Sequence, residues 1–333
     1  KDTSWNGSML NFYGMAVIPE GYSPVQLDTL RPESVMGFNL FLISKSNAVP
    51  VLYCSHDAPL TTERREMLVA SNVKVLYIST MDSGLYQEYL EANIGDILNA
   101  PSIPTKHKTE VMYGCAQNML ESMFAKPDAP DMMKRSHAMV SSISEFVFRD
   151  EDAFSCFLKT SAFDYAVYSH SVNVFMYSIL LAQRLGFTDM EWLNRFGTGA
   201  LLHDIGKSRI DPELLHCKGC LSDEQWEIMR LHPVWGWEIL MEQGETDEVI
   251  LNITRSHHEK LTGKGYPDNL PAEDIPDYVR IVTICDIFDA LTTKRSYKDA
   301  ERSFPSLKLM HEEMVGEIDL EMFNAFVKMM STN

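Results

Sequence analysis

The sequence predicts an α+β protein in which a small N-terminal α/β module precedes a larger all-α domain. Three observations carry this expectation. Short β-rich runs are confined to the first hundred residues, apolar residues recur at three- and four-residue spacing from about Asp131 onward, and proline-marked breaks separate the two patterns. With 333 residues, 45% of them apolar, the chain is long enough for two domains. The expected division is a module over residues 1–99, a linker with a connecting helix over 100–130, and a helical domain over 131–333.

Within the module, Phe41-Leu-Ile-Ser, Val51-Leu-Tyr-Cys and Val73-Lys-Val-Leu-Tyr-Ile-Ser read as strands. Between the last two, Thr61-Thr-Glu-Arg-Arg-Glu-Met-Leu opens with a capping hydroxyl and an early acid, which marks a helix start. No Gly-rich phosphate loop, metal cluster or nucleophile arrangement occurs here, so the module is expected to regulate or scaffold. Ala100-Pro-Ser-Ile-Pro-Thr-Lys-His-Lys reads as a connection. A helix from about Glu110 to Phe124 follows it and stops before Lys126-Pro-Asp-Ala-Pro. Beyond that break the helical pattern is nearly continuous, as in Val172, Phe175, Met176, Ile179 and Leu180.

A formal charge of −18 argues against binding polymeric nucleic acid, whose affinity depends on lysine and arginine displacing phosphate counterions. A nucleotide would need a locally positive site, which metal ions can supply whatever the net charge. No stretch has the apolar length to cross a bilayer and no targeting signal stands at the start, so membrane insertion is not expected. Six scattered cysteines suit a reduced compartment, and the expected location is cytoplasmic.

Five histidines and two aspartates of the helical domain stand where local context favours a site: His170, His203-Asp204, His232, His257-His258 and Asp286. A lone histidine on an amphipathic helix is ordinarily packed or solvated; the adjacent pairs are harder to dismiss. In Ala200-Leu-Leu-His-Asp-Ile-Gly-Lys a charged dipeptide ends an apolar run, so Asp204 is buried without a partner unless a cation meets it. Its carboxylate can bridge two metal ions, with His203 offering a ring nitrogen to one and Lys207 a turn onward, near any bound phosphate. His257-His258-Glu259 repeats this at another helix end, before the turn-forming Gly263-Lys-Gly-Tyr-Pro.

His170, then HDIGK (His203 to Lys207), His232-Pro-Val-Trp-Gly, HHEKLTGKGYP (His257 to Pro267) and Asp286-Ile-Phe-Asp-Ala-Leu-Thr together closely resemble the HD-GYP phosphodiesterases, over roughly residues 160 to 300. HD alone defines only a broad superfamily of metal hydrolases; the joined HHE and GYP elements with the downstream segment are far more selective. The resemblance implies an HD-type helical bundle with two divalent metal ions. His170, His203, Asp204 and Asp286 would hold one, and Asp204, His232, His257 and His258 the other. A shell of nitrogen and oxygen favours iron or manganese, with zinc, nickel, cobalt and magnesium left open. The implied activity is a metal-dependent cyclic-dinucleotide phosphodiesterase that opens cyclic-di-GMP to the linear dinucleotide or GMP by metal-hydroxide attack. Another cyclic dinucleotide such as 3′,3′-cGAMP, and a non-catalytic sensor or interaction module, are the alternatives.

By the same resemblance Asp204 and Lys207 carry the chemistry, and Lys207, Arg295 and Lys298 contact substrate phosphates, with Tyr266 at the pocket rim. Family members with a third metal resemble one another in a glutamate one turn before the first histidine; Ala166 stands there, which favours two metals, and Asp164 is off that register. Glu259 is expected either to orient a ligand or to form an exposed salt bridge. Asp289 is expected to cap or pair, and Cys217-Lys-Gly-Cys220 to be an ordinary turn. Expected partners are the cyclic dinucleotide and either a second copy of the chain or a signalling protein met through the N-terminal module.

Overall fold

A computed structural model of the chain describes residues 18–43, 49–161, 167–215, 221–293 and 303–331. The chain divides into two compact units, one comprising Lys1–Asn93 with Ala100–Ile103, the other Ile94–Asn99 with Pro104–Asn333.

The first unit carries a four-stranded antiparallel sheet of β1 (Tyr22–Gln26), β2 (Leu40–Ile43), β3 (Pro50–Cys54) and β4 (Val75–Ser79), in the order β1-β4-β2-β3. The last three strands fall where the sequence predicts them. β1 escapes that reading because Ser23, Pro24 and Gln26 interrupt its apolar residues. Pro24 is tolerated because β1 is an edge strand, paired only with β4. Helix α1 (Thr62–Ala70) starts at the predicted cap, where Thr61 Oγ1 accepts the Arg64 amide at 3.3 Å. Helix α2 (Ser83–Ala92) follows β4, and Tyr86 and Tyr89 meet the buried Phe38 edge-on at 5.6 Å.

All regular elements described in the second unit are helical. They run as α3 (Ile94–Asn99), α4 (Thr105–Ala125), α5 (Met132–Arg149), α6 (Ala153–Ser161), α7 (Val167–Arg184), α8 (Met190–Leu202), α9 (Pro212–Leu215), α10 (Asp223–Met229), α11 (His232–Glu242), α12 (Glu248–Ser256), α13 (Asp277–Thr293), α14 (Ser303–Glu313) and α15 (Leu320–Ser331). Helix α4 begins more than a turn before the predicted Glu110, because Pro104 already has the extended backbone of an N-cap. It is built into the unit, burying Met112, Tyr113, Ala116 and Met119. Helix α7 is the hub, packed against α4, α8, α13 and α15. Every residue from Ser171 to Ile179 is buried, the mark of a helix covered on all sides.

After α8 a 3-10 turn, Ile205–Arg209, is laid against α11. The approach is closest at Gly206, where a Cβ would stand 1.9 Å from the His232 carbonyl oxygen and 2.4 Å from Gly236 N. Only glycine permits it. Among the described residues no helix is long and apolar enough to cross a membrane. Cys54, Cys115, Cys156 and Cys285 form no disulfide, while Cys217 and Cys220 lie outside the described residues.

Candidate metal centre

Five segments of the helical unit converge on one cluster. His170 lies on α7, His203 and Asp204 follow the last turn of α8, His232 opens α11, His257 and His258 follow α12, and Asp286 lies on α13. Helix ends leave carbonyls without partners, and three of the histidines use them. His203 Nδ1 donates to Ala200 O at 2.8 Å, His232 Nδ1 to Met229 O at 2.7 Å, and His257 Nδ1 to Thr254 O at 3.0 Å. With the proton held on Nδ1, each Nε2 turns a lone pair into the cluster.

Those lone pairs face one another and a carboxylate. His232 Nε2 and His257 Nε2 are 3.2 Å apart. Asp204 Oδ1 lies 3.2 Å from His232 Nε2 and 3.8 Å from His257 Nε2, yet receives no hydrogen bond, and His203 Nε2 likewise has no partner. Asp204 Oδ2 faces the other way, 3.6 Å from His170 Nε2 and 3.4 Å from His203 Nε2. Asp286 Oδ1 is 3.0 Å from His170 Nε2, and its Oδ2 is 3.6 Å from His258 Nδ1. Buried acceptors aimed at each other without a donor are costly. The donors form two groups, His170-His203-Asp204 and His232-His257-His258, each within 4.8 Å. A cation in each would satisfy the orphaned atoms, so the residues present fit metal ions.

The electrostatics are those of a site prepared for cations. Burial alone would raise the Asp204 carboxyl, but the Lys207 ammonium and the imidazoles of His203 and His232 hold it well below the usual carboxylate range. Asp286 is likewise held far down against its burial, chiefly by His170. Burial pushes His257 well below the ordinary histidine range and His258 down to about 3, with neighbouring imidazoles adding to the effect, so both stay neutral. His170 is the exception. Burial opposes its protonation, but hydrogen bonds to Asp286 and Asp289 carry it up to about 10.

Of the residues expected to meet substrate, Lys207 donates to Asp204 Oδ2 and is one-fifth exposed. Tyr266 stacks on His258 with ring centroids 4.7 Å apart. Burial, aided by Asp286 and Asp204, pushes its hydroxyl well above the usual tyrosine range. Its Gly-Tyr-Pro turn depends on Gly265, where a Cβ would stand 2.4 Å from Glu259 Cα. Arg295, Lys298, Ala166 and Asp164 lie outside the described residues.

Sequence reasoning missed two features. The Arg230 guanidinium lies 5.8 Å from the Tyr266 ring, adding a cation beside the rim whose place no local pattern announces. Glu259 neither touches the cluster's donors nor forms an exposed salt bridge: it is buried, accepting the amides of Asp268 at 2.7 Å and Leu270 at 3.0 Å, and so pins the loop after the turn. Asp289, expected to cap or pair, pairs with His170 Nδ1 at 2.7 Å.

The HD domain family matches residues 163–322. A cyclic di-GMP phosphodiesterase of Pseudomonas aeruginosa is 32% identical over 215 residues, covering 64% of this chain and 51% of that protein. A 3′3′-cGAMP-specific phosphodiesterase of Vibrio cholerae is 35% identical over 161 residues, covering 48% of this chain and 34% of that protein. The match thus spans about half the length of the first relative and about a third of the second. Among solved structures, an HDG"Y"P protein from Bdellovibrio bacteriovorus superposes with a TM-score of 0.67 over 93% of this chain and 99% of that one, at 23% identity. That is a likeness of fold.

Proposed function

We propose, from the match of residues 163–322 to the HD domain family, that this chain is a metal-dependent phosphodiesterase that opens a cyclic dinucleotide, cyclic-di-GMP foremost, to the linear dinucleotide and GMP. The observation that carries the proposal is the orientation of Asp204, whose two oxygens address two separate sets of imidazole lone pairs. That is the arrangement a carboxylate bridging two cations requires. His170, His203, Asp204 and Asp286 would hold one ion and Asp204, His232, His257 and His258 the other. Two bound ions supply Lewis acidity toward a phosphoryl oxygen and an activated water at neutral pH. Donors of nitrogen and oxygen without thiolate favour iron or manganese.

The protein's own groups do the rest. Lys207, one-fifth exposed beside Asp204, places a positive charge on the phosphoryl oxygens as negative charge grows there. Tyr266 keeps its proton and, stacked on His258 with Arg230 beside it, is the aromatic group that would meet the substrate. Arg295 and Lys298, which lie outside the described residues, are assigned the remaining phosphate by the resemblance alone. The N-terminal unit regulates or scaffolds this activity.

A second reading, hydrolysis of 3′,3′-cGAMP, is favoured by the similarity to the Vibrio cholerae enzyme and uses the same site with a different pair of bases. The deciding experiment incubates chain loaded anaerobically with Fe(II) or Mn(II) with cyclic-di-GMP, 3′,3′-cGAMP and cyclic-di-AMP, and resolves the products. Linear dinucleotide appearing fastest from cyclic-di-GMP is expected; tight binding of all three without turnover would instead make the chain a sensor. Asp204→Ala is expected to abolish both metal loading and turnover, and retention of two metals with turnover would refute the bridge.

A further inference from the structure

His170 differs from the other histidines of the cluster in what holds its outer nitrogen. His203, His232 and His257 lean on backbone carbonyls, whereas His170 Nδ1 meets the Asp289 carboxylate at 2.7 Å. Asp289 is 2% exposed and sits one helical turn after Asp286 on α13. Its other oxygen receives Asn173 Nδ2 at 2.9 Å, and Asn173 Oδ1 receives the hydroxyl of Tyr113 at 3.0 Å. Asn173 is one turn after His170 on α7; Tyr113 lies on α4 with no exposed surface.

The direction of this chain of hydrogen bonds is forced. An ionised carboxylate only accepts, so the Asn173 amide must turn its nitrogen to Asp289 and its oxygen to Tyr113, and the hydroxyl must donate. With both neighbours fixed, Asp289 has one rotamer and keeps the His170 Nδ1 proton directed at itself, so that Nε2, which faces Asp204 and Asp286, is the nitrogen left to exchange its proton for a metal ion. A carboxylate on the outer nitrogen makes an imidazole a more electron-rich donor than a carbonyl does, and such partners are worth about 10- to 100-fold in metal affinity.

We propose that Tyr113, Asn173 and Asp289 are positioning residues that make the metal position beside His170 the tighter of the two, through the buried run Tyr113 Oη–Asn173–Asp289–His170. This rests on the di-metal reading above, and it assigns helix α4, outside every recognisable motif, a share in metal retention.

The test is a titration of metal-free full-length chain with Mn(II) against a competing chelator, with no nucleotide present. Wild type is expected to take two equivalents of unequal affinity. Asp289→Asn can keep its hydrogen bond to His170 if Asn173 flips, so it removes the charge while sparing the packing. It should weaken the tighter equivalent about 10- to 100-fold and change the weaker less than about 3-fold. Tyr113→Phe, which keeps the ring in place, should weaken the same equivalent by a smaller factor and add nothing on top of Asp289→Asn, because the two act through one path. Circular dichroism and the melting temperature confirm that each variant folds. Wild-type affinity for both equivalents in Asp289→Asn, or a Tyr113→Phe effect that multiplies fully with it, overturns the proposal while leaving the hydrolase reading intact. A wild-type chain that takes up no Mn(II) or Fe(II) defeats both.

Discussion

The Nε2 atoms of His232 and His257 lie 3.2 Å apart although each ring has committed its Nδ1 proton to a backbone carbonyl. Two lone pairs at that distance repel unless a cation lies between or beside them. The metal-free chain therefore carries a local destabilisation that metal relieves. Adding Mn(II) at about 100 times its dissociation constant should stabilise the fold by about 2.7 kcal/mol, read as a rise in melting temperature that chelator reverses. An unchanged melting temperature would rule out the cluster as a metal site.

In the proposed reaction Lys207 would serve the substrate rather than metal retention. Lys207→Ala should keep wild-type metal content and lower kcat by about 10²- to 10³-fold, the usual effect of losing a group that stabilises developing charge. KM should move little. Steady-state kinetics beside metal analysis separates this from a loading defect, and an unaltered kcat would take Lys207 out of the mechanism.

The neutral histidines set an acid limit on the metal-free fold. His257 and His258, held below their ordinary value of 6.5, bind protons in the unfolded chain before they do in the folded one. Stability is then fully present above 6.5 and falls as pH drops toward 3, by up to about 1.4 kcal/mol per pH unit for each group. His170, raised to about 10, adds a constant below 6.5, and its contribution declines as pH climbs from 6.5 to about 10. Denaturant melts of chelated chain between pH 6.5 and 4.5 should show the decline, and a flat profile would contradict it.

Gly206→Ala tests the close approach that brings the turn after Asp204 against α11. Its methyl would fall 1.9 Å from the His232 carbonyl oxygen, a backbone atom that can move only with its helix. A loss of about 1–3 kcal/mol in urea unfolding is expected, with weakened metal uptake because His232 shifts away from Asp204. Wild-type stability would mean that the turn is looser than it stands.

Four of the donor residues were legible because adjacency made them conspicuous: His203-Asp204 and His257-His258 place polar groups at the ends of apolar helices where nothing local can satisfy them, whereas His170, His232 and Asp286 were legible only through the resemblance. The same logic leaves the partner of Asp289 open, because its three-residue spacing from Asp286 suits a cap as well as a pair. It misses Tyr113, which meets Asn173 from 60 residues away through tertiary packing alone. Strand β1 was hidden for a different reason, since Pro24 argues against a strand until the strand is known to be an edge. Glu259 looked like part of the histidine pair because sequence neighbours seem to share a task, whereas the chain turns there and sends its carboxylate to the loop.

The cluster draws on α7, α13 and the ends of three other helices, and the His170–Asp289 contact alone spans 119 residues. Once filled, it works as a clasp that fastens distant stretches of chain, and the entropy saved grows with the loops it closes. A metal-starved copy would then open more often and be cut sooner by a protease. Supply of the metal would thus govern how long each molecule survives as well as whether it turns over, tying the abundance of this protein to the nutrition of the cell that makes it.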